Sequence, residues 1–193
     1  MTSGNSTGMS LARCAILAAG AVAALGATPA GAGGTADGVD GVDSADTWVG
    51  FEVVAPGGLY VSAPCAAALS DAWPGHMAHG RLGEVRVTDE RAARDAAWTA
   101  TVTVSQDFTA GSPDSDETIS RSHVVYRPGA AIDAFNGPFT PGHPGRLTTF
   151  RMAFSHPSGS GSNSVTWNPT LIVHVPAAGV ADVYRGTVTH SVA

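Results

Sequence analysis

Lysine is absent from this chain, and positive charge of any kind is scarce. Ten basic residues, all arginine, stand against sixteen Asp and Glu residues, so the formal net charge over 193 residues is −6 at pH 7. A protein that binds nucleic acid needs a basic patch to neutralise phosphates. The charge balance therefore predicts no nucleic-acid partner, and it also argues against holding an anionic polymer through net charge.

Cysteine is also scarce, with only Cys14 and Cys65 in the whole sequence. Cys14 lies in an N-terminal segment that we expect to be removed, which leaves Cys65 alone in the mature chain. One cysteine forms no internal bridge, so we expect a fold without a disulfide framework. Cys65 follows Pro64 and precedes three alanines. We expect it to be buried and inert, with pairing to another chain as the alternative.

No hydrophobic run is long enough to cross a bilayer comfortably. Residues 1–32 instead have the pattern of a secretory signal peptide. Arg13 precedes the apolar run 14–27, and Ala30-Gly31-Ala32 offers small residues to a signal peptidase. The run is too short and too rich in Ala and Gly for a membrane anchor. We therefore expect a secreted or cell-surface protein without a transmembrane segment, whose net charge becomes −7 once Arg13 is removed.

Residues 33–46 consist largely of Gly and Asp, with the acidic residues three positions apart. This segment has too little apolar surface to offset the entropy of ordering, so it is predicted to be a flexible linker. An EF-hand calcium loop places acids every two residues and ends on a bidentate Glu, a spacing that this segment does not match. The predicted organisation is a signal peptide 1–32, a linker 33–46 and one domain 47–193.

Sequence motifs that carry catalysis are missing as well. The chain has no Gly-x-Ser-x-Gly elbow, no phosphate loop and no dinucleotide-binding fingerprint. His76 and His79 form a His-x-x-His pair, but no further ligand follows at a zinc spacing. We therefore expect a protein that is not an enzyme, with no catalytic residue, no cofactor and no bound metal.

Alternation of apolar and polar residues is the main pattern that the chain does have. In the segment Trp98–Val104 the apolar residues share one face and the threonines share the other, which is typical of a half-buried strand. Pro169 interrupts a similar run and is expected to break the ladder there. Similar runs predict strands at Trp48–Val54, Gly58–Ala63, Leu82–Thr88, Trp98–Ser105, His123–Tyr126, Leu147–Ser155, Val165–Val175 and Val183–Val192. The fold class is therefore predicted as all-β, a single antiparallel β-sandwich of about eight strands.

The segment Pro128–Pro144 is predicted to be a long loop because it is too rich in proline for a strand. It contains Phe135 and Phe139, and two roles are open for these rings. Aromatic side chains on a long loop are able to bind a ligand. The alternative, which burial tendencies favour, is that both rings pin the loop onto the sandwich. Leu69–Ala72 is expected to form at most one helical turn.

Two tryptophan-led runs carry a resemblance to a known family. Three ordered groups of residues match: Val85-x-Val87-x-Asp89-x-Arg91 leading to Trp98; Trp167 followed by Leu171, Val173 and Val175-Pro176; and Tyr184-x-Gly186-Thr187-Val188-Thr189-His190. In this pattern the chain resembles the WxL domain of Gram-positive bacterial surface proteins, in the diverged form of secreted actinobacterial proteins. The resemblance runs from about Phe51 to Val192, and it implies a domain that attaches non-covalently to peptidoglycan.

The resemblance marks Trp98, Trp167, Asp89, Arg91 and Tyr184 as candidate binding residues. Burial tendencies favour another role for the two tryptophans, which is to pack between the sheets and mark the fold. Asp89 and Arg91 lie two positions apart, so on a strand they share a face and are expected to pair. A surface pair of this kind contributes only ~0–1 kcal/mol and does not by itself indicate a binding site.

Three classes of function remain from these observations. The first is a secreted, non-enzymatic surface module that associates non-covalently with the cell wall through a sandwich face or a loop. The second is a structural or assembly subunit that binds another secreted protein through a sheet edge. The third is a hydrolase whose residues converge only in the fold. A long uncharged sheet edge would favour the second class, and a cleft with clustered carboxylates would favour the third.

Overall fold

The computed structural model describes residues 49–110 and 117–193 of the chain. The predicted signal peptide 1–32 and linker 33–46 lie outside the described residues. The described part is all-β, as the alternation predicts, but it has thirteen strands where about eight are expected, and it contains no α-helix. The strands are β1 (Leu59–Ser62), β2 (Met77–Arg81), β3 (Val85–Asp89), β4 (Trp98–Thr109), β5 (Thr118–Ile119), β6 (Val124–Arg127), β7 (Ala131–Phe135), β8 (Thr140–Pro141), β9 (Gly145–Arg146), β10 (Arg151–His156), β11 (Asn163–Trp167), β12 (Thr170–His174) and β13 (Arg185–Val192).

The strands pair antiparallel throughout the part of the chain that the structure describes, and they form three hydrogen-bonded sheets. One sheet has the strand order β1-β3-β11-β7, and another has the order β2-β12-β6-β9. The third has the order β13-β4-β10-β8, and the short β5 also pairs with β4. A single turn of 3-10 helix, Arg121–His123, precedes β6.

Two of these sheets continue into each other and make one layer of the sandwich. β2 leads into β3 across residues 82–84, β11 leads into β12 across 168–169, and β6 leads into β7 across 128–130. Each of these three pairs of strands forms one long strand that runs through both sheets. The three long strands keep the same lateral order in both sheets. The third sheet forms the facing layer, because its inward side chains share one core with those of the other two. The predicted antiparallel β-sandwich is confirmed.

Proline and glycine interrupt the three long strands at neighbouring positions, where one sheet passes into the other. Pro169 lacks a backbone N–H and breaks its strand there, as the sequence predicts. On one side Leu82 donates its N–H to the Pro169 carbonyl across 2.9 Å, which keeps the neighbouring strand aligned through the break. Gly83 and Gly129, on the two flanking strands, have φ values of +93° and +75°. Glycine adopts this region without a steric penalty, so the break is encoded on all three strands.

Aromatic side chains fill the space between the layers. Phe154 of β10 stacks on Trp167 of β11, with ring centroids 4.7 Å apart and an interplanar angle of 28°. Every second residue from Trp98 to Val104 is buried, so the alternation in this segment is confirmed. The other large side chains that are fully buried include Tyr126, Leu147, Leu171, Val85, Val87 and Val165.

Several expectations from the sequence are wrong in detail. Residues 49–54 of the predicted strand Trp48–Val54 form no strand and are exposed, because no other described segment pairs with them. Residues 69–72 form no helical turn. Residues 131–135 form β7 instead of part of a loop. The prolines that suggested a loop lie before and after this strand. Cys65 is exposed and disulfide-bonded, so the expectation of a buried and inert cysteine is wrong.

No helix in residues 49–110 or 117–193 has the length and apolar character needed to cross a bilayer.

Candidate functional site

Asp89, the last residue of β3, is the centre of a polar network at one end of that strand. The backbone N–H and the Nε of Arg91 both donate to Asp89 Oδ1, at 3.0 and 2.9 Å, and Arg91 Nη2 donates to Oδ2 at 2.8 Å. The predicted pairing of these two residues is therefore present. It is not a surface pair, however, because the carboxylate of Asp89 is fully buried while the guanidinium is only partly covered. The same Nη2 also donates to the Ala97 carbonyl at 3.1 Å.

The protonation of Asp89 follows from this environment. Burial raises the pKa of the carboxyl group, but the hydrogen bonds and the positive charge of Arg91 outweigh it, and the net pKa lies below its usual value. Arg91 shows the complementary effect, because the hydrogen bonds from its side chain to Asp89 raise its pKa. Both groups are therefore charged at neutral pH, and the pair is a stable part of the framework and not a poised acid or base.

Asn163 links this ion pair to Trp98 in the other layer. Asn163 lies directly opposite Asp89 in the ladder of β11 and β3, and its Nδ2 donates to Asp89 Oδ2 at 3.3 Å. The indole Nε1 of Trp98 donates to Asn163 Oδ1 at 2.8 Å. Phe139 and His156 cover the indole, with ring centroids 5.9 and 6.0 Å from it. Trp98 is thus 4% exposed and cross-links the two layers.

A second hydrogen-bonded chain runs through the core beneath Trp167. The indole Nε1 of Trp167 donates to the hydroxyl of Tyr126 at 2.9 Å, and this hydroxyl lies 3.0 Å from Nε2 of His190 on β13. Burial raises the pKa of Tyr126 well above its ordinary value, and burial lowers the pKa of His190 to about 4. Trp167 has no exposed surface. At neutral pH the three side chains of this hydrogen-bonded series are therefore uncharged, and their hydrogen bonds satisfy polar groups inside the sandwich.

The structure brings three of the five candidate binding residues together. Asp89, Arg91 and Trp98 belong to one network, and Trp167 belongs to the second chain. Tyr184 precedes β13, packs against the edge of the core and donates its hydroxyl to the Val180 carbonyl at 3.0 Å. Both tryptophans are buried as their burial tendencies predict, so neither indole face is available to a ligand in this structure.

An exposed tryptophan that the resemblance does not include lies at the tip of a tight turn. Trp73-Pro74-Gly75-His76 closes with a hydrogen bond from His76 N to the Trp73 carbonyl at 2.9 Å, and Gly75 has a φ of +81°. Proline followed by a glycine of positive φ is typical of a type II turn. Gly75 N also donates to the Val175 carbonyl at 3.1 Å, which anchors the turn to the segment after β12. The Trp73 side chain is 77% exposed.

His76 holds the exposed ring of Trp73 from one side. The two ring centroids are 6.0 Å apart and nearly perpendicular, at 83°. Trp73 is therefore presented by a closed turn and an edge-to-face contact, not by a free loop. The sequence signal for this position was the Trp-Pro-Gly-His string itself, in which Pro-Gly predicts a turn and places the preceding tryptophan at its edge.

β7 is a second exposed feature that the sequence did not predict. It pairs with β11 on one side, and no other strand within residues 49–110 and 117–193 pairs with its outer side. All five of its residues are exposed, including Ile132 and Phe135, and Asp133 is the one charged residue among them. The prediction that the nearby aromatic rings pin this segment down holds for Phe139, which packs on the core, and fails for Phe135.

Within the described ranges, no three His, Cys, Asp or Glu residues come close enough to hold a metal ion. Comparisons with models of protein families, with curated proteins and with solved structures gave no match for this chain.

Proposed function

We propose that this protein is a secreted, non-enzymatic module that associates non-covalently with the cell wall, and that Trp73 is its principal contact residue. Residues 1–32 and the resemblance to WxL domains motivate the location and the ligand. The residues that carry the resemblance are framework residues, since Trp98 and Trp167 are buried. The contact surface of such a module therefore lies at other residues, which are exposed and rigidly held.

Trp73 is the observation that carries this proposal. Tryptophan is mostly buried in folded proteins, and where it is exposed on a fixed scaffold it is enriched at binding surfaces. Its turn is closed by two backbone hydrogen bonds, so little conformational entropy is lost when a ligand covers the ring. A flat indole face next to the imidazole of His76 suits packing against a sugar ring or a short peptide, the two components of peptidoglycan.

The net charge sets the expected salt dependence of binding. An acidic protein is not drawn to an anionic wall polymer by net charge, so the contacts are aromatic packing and local hydrogen bonds. Such contacts are weakly screened by salt. The test is co-sedimentation of the purified protein with cell-wall sacculi at low and high salt, followed by a detergent wash. Retention at both salt concentrations is expected, and recovery of all the protein in the supernatant at both would contradict the proposal.

A second candidate function is favoured by β7. An exposed terminal strand with free backbone groups on its outer side accepts a strand from another protein by sheet-edge addition. Ile132 and Phe135 add exposed apolar surface. The negative charge of Asp133 favours a partner strand with a positively charged residue opposite it. A second copy of β7, paired antiparallel about its middle residue, would place two Asp133 side chains opposite each other, which is unfavourable. This candidate is therefore an assembly subunit for a different secreted protein.

This second candidate is tested by placing a charged side chain on the exposed edge of β7. Ile132→Lys should abolish any complex that the protein forms in its native culture supernatant, because a lysine on an exposed edge blocks strand addition. Met152→Lys, at a partly exposed position of β10, is the matched control and should leave the complex unchanged. A complex that survives Ile132→Lys would exclude the β7 edge as its interface.

A further inference from the structure

A cavity opens between the two layers on the side of β13. Its volume is about 190 Å³, and its walls come from residues 63–67 and Leu69, from Val85 and Leu171 in one layer, and from Phe108, residues 186–188 and His190 in the other. None of its lining residues has a charged side chain. Nothing in the proposed wall contact uses this cavity, because Trp73 is not part of its lining.

The volume limits what this cavity is able to hold. A cavity of ~150 Å³ lined by hydrocarbon side chains binds a benzene ring. This cavity is slightly larger, so it accommodates one six-membered ring with a short substituent. No lining side chain carries a charge that would balance that of an ion, so the lining favours an uncharged occupant.

His190 provides a directional polar group in this lining. Trp167 Nε1–H donates to the Tyr126 oxygen, so the single hydroxyl proton of Tyr126 is free to donate to His190 Nε2 at 3.0 Å. In that arrangement Nε2 is the unprotonated nitrogen of a neutral imidazole. Its proton is then on Nδ1, which makes no hydrogen bond to any described residue and is not fully buried. The hydrogen-bonded chain therefore ends in an N–H donor on a cavity-lining side chain.

We propose that this cavity binds a small neutral molecule with one apolar ring and one hydrogen-bond acceptor, and that the acceptor bonds to Nδ1–H of His190. The side chains of Val85, Phe108 and Leu171 pack against the ring, and the Nδ1–H donor favours an oxygen acceptor over a hydrocarbon of the same shape. Trp167 and Tyr126 act as positioning residues, because their hydrogen bonds fix the tautomer of His190 without contacting the ligand.

The test compares two molecules of the same shape. Acetophenone has a carbonyl oxygen where α-methylstyrene has a CH₂ group. Both are titrated into the purified protein while amide chemical shifts are followed by NMR. The expected result is that Ala66, Leu171 and Val188 shift with both probes. Acetophenone should bind about three- to tenfold more tightly, the ratio that one hydrogen bond of roughly 0.7–1.4 kcal/mol gives.

A substitution at the donor provides the second measurement. His190→Phe retains a ring of similar size and removes the N–H, so it should lower the affinity for acetophenone to that for α-methylstyrene. His143→Phe, at an exposed position outside the cavity lining, is the matched control and should preserve the preference. The comparison of the two probes in the parent protein does not depend on the folding of either variant.

Three results would overturn the proposal. The first is the absence of any shift at the cavity residues with both probes, and the second is equal affinity of the parent protein for the two molecules. The third is a ring nitrogen spectrum of His190 that shows the proton on Nε2 instead of Nδ1. A failure here leaves the wall-binding proposal intact, because sacculus binding is measured without either probe.

Discussion

Trp98 of β4 donates its indole N–H to the side-chain oxygen of Asn163 on β11, and this hydrogen bond of 2.8 Å connects the two layers of the sandwich. Asn163 is itself bonded to the buried carboxylate of Asp89, which Arg91 neutralises. The tryptophan that begins the most regular strand in the sequence therefore holds the two layers together through a polar contact as well as through packing.

Replacing Trp98 by Phe should separate these two contributions. The variant keeps a buried ring but leaves Asn163 Oδ1 without its donor, and an unsatisfied buried acceptor lowers the free energy of unfolding by about 1–3 kcal/mol. Urea unfolding followed by circular dichroism measures this change. Trp73→Phe is the control, because its side chain is exposed and its loss should alter stability by less than ~0.5 kcal/mol. Equal effects of the two substitutions would contradict the role assigned to the Trp98 hydrogen bond.

Arg91→Leu should destabilise the protein far more than the same change at the other ion pair. It leaves the buried Asp89 carboxylate without its charged partner, which lowers the free energy of unfolding by about 1–3 kcal/mol at pH 7. Arg121→Leu removes a pair with Asp107 in which both side chains are substantially exposed, and the expected loss is below ~1 kcal/mol.

The same variant should be more sensitive to acid. Because the folded pKa of Asp89 is lowered, its contribution to stability is complete above the ordinary pKa of 3.8 and is lost as the pH falls through the lowered value. Without the Arg91 side chain, the hydrogen bonds from Asn163 and from the backbone N–H of residue 91 remain, but the positive charge and the side-chain hydrogen bonds that counter burial are lost, so the pKa of the carboxyl group rises. The acid-unfolding midpoint of Arg91→Leu should therefore lie at higher pH than that of the parent. An unchanged midpoint would show that Arg91 does not set the pKa of Asp89.

His190 should make the protein lose stability in mild acid. Burial holds its folded pKa at about 4, below the unfolded value of 6.5, so between these values the unfolded state binds a proton that the folded state does not. The free energy of unfolding should fall by at most about 3 kcal/mol as the pH drops from 6.5 to 4. His190→Gln should flatten this part of the stability profile, and His143→Gln, at an exposed position, should not. The measurement is urea unfolding at closely spaced pH values.

Gly83 and Gly129 provide a matched pair at the break in the long strands. Both have positive φ, so alanine at either position introduces backbone strain of about 1–2 kcal/mol. At Gly83 an added Cβ would also lie 2.6 Å from Cγ of Pro64, whereas at Gly129 the nearest atom is 3.9 Å away. Gly83→Ala should therefore lower the melting temperature by several degrees more than Gly129→Ala. The reverse order would contradict the packing at the break.

Strands with a regular alternation of apolar and polar residues were predictable from the sequence. Segments whose conformation depends on a pairing strand were not. β3, the start of β4, and β12 alternate strictly, and their inward faces follow from the pattern alone. Trp48–Val54 also alternates, yet residues 49–54 form no strand because strand formation requires a neighbour that a local pattern does not reveal. β7 shows the converse, since it is a strand only because β11 pairs with it.

The candidate site was only partly predictable, because several of its contacts join residues that are distant in sequence. The spacing of Asp89 and Arg91 predicted their pairing, but the burial of the carboxylate follows from Asn163 and Trp98, which are distant in sequence. The chain from Trp167 to His190 joins residues on β11, β6 and β13, and no spacing rule connects them. The turn at Trp73 was readable in the sequence from Pro74 and Gly75, whereas the exposure of its ring depends on the surrounding fold.

In the proposed function Trp73, and not the buried tryptophans, contacts the cell wall. The most direct measurement is a sacculus-binding isotherm for the parent protein, for Trp73→Ala and for Trp98→Phe at a temperature where all three are folded. The proposal predicts at least tenfold weaker binding for Trp73→Ala, with an unchanged melting temperature, and parental affinity for Trp98→Phe. Parental affinity for Trp73→Ala, or loss of binding in a folded Trp98→Phe variant, would contradict it.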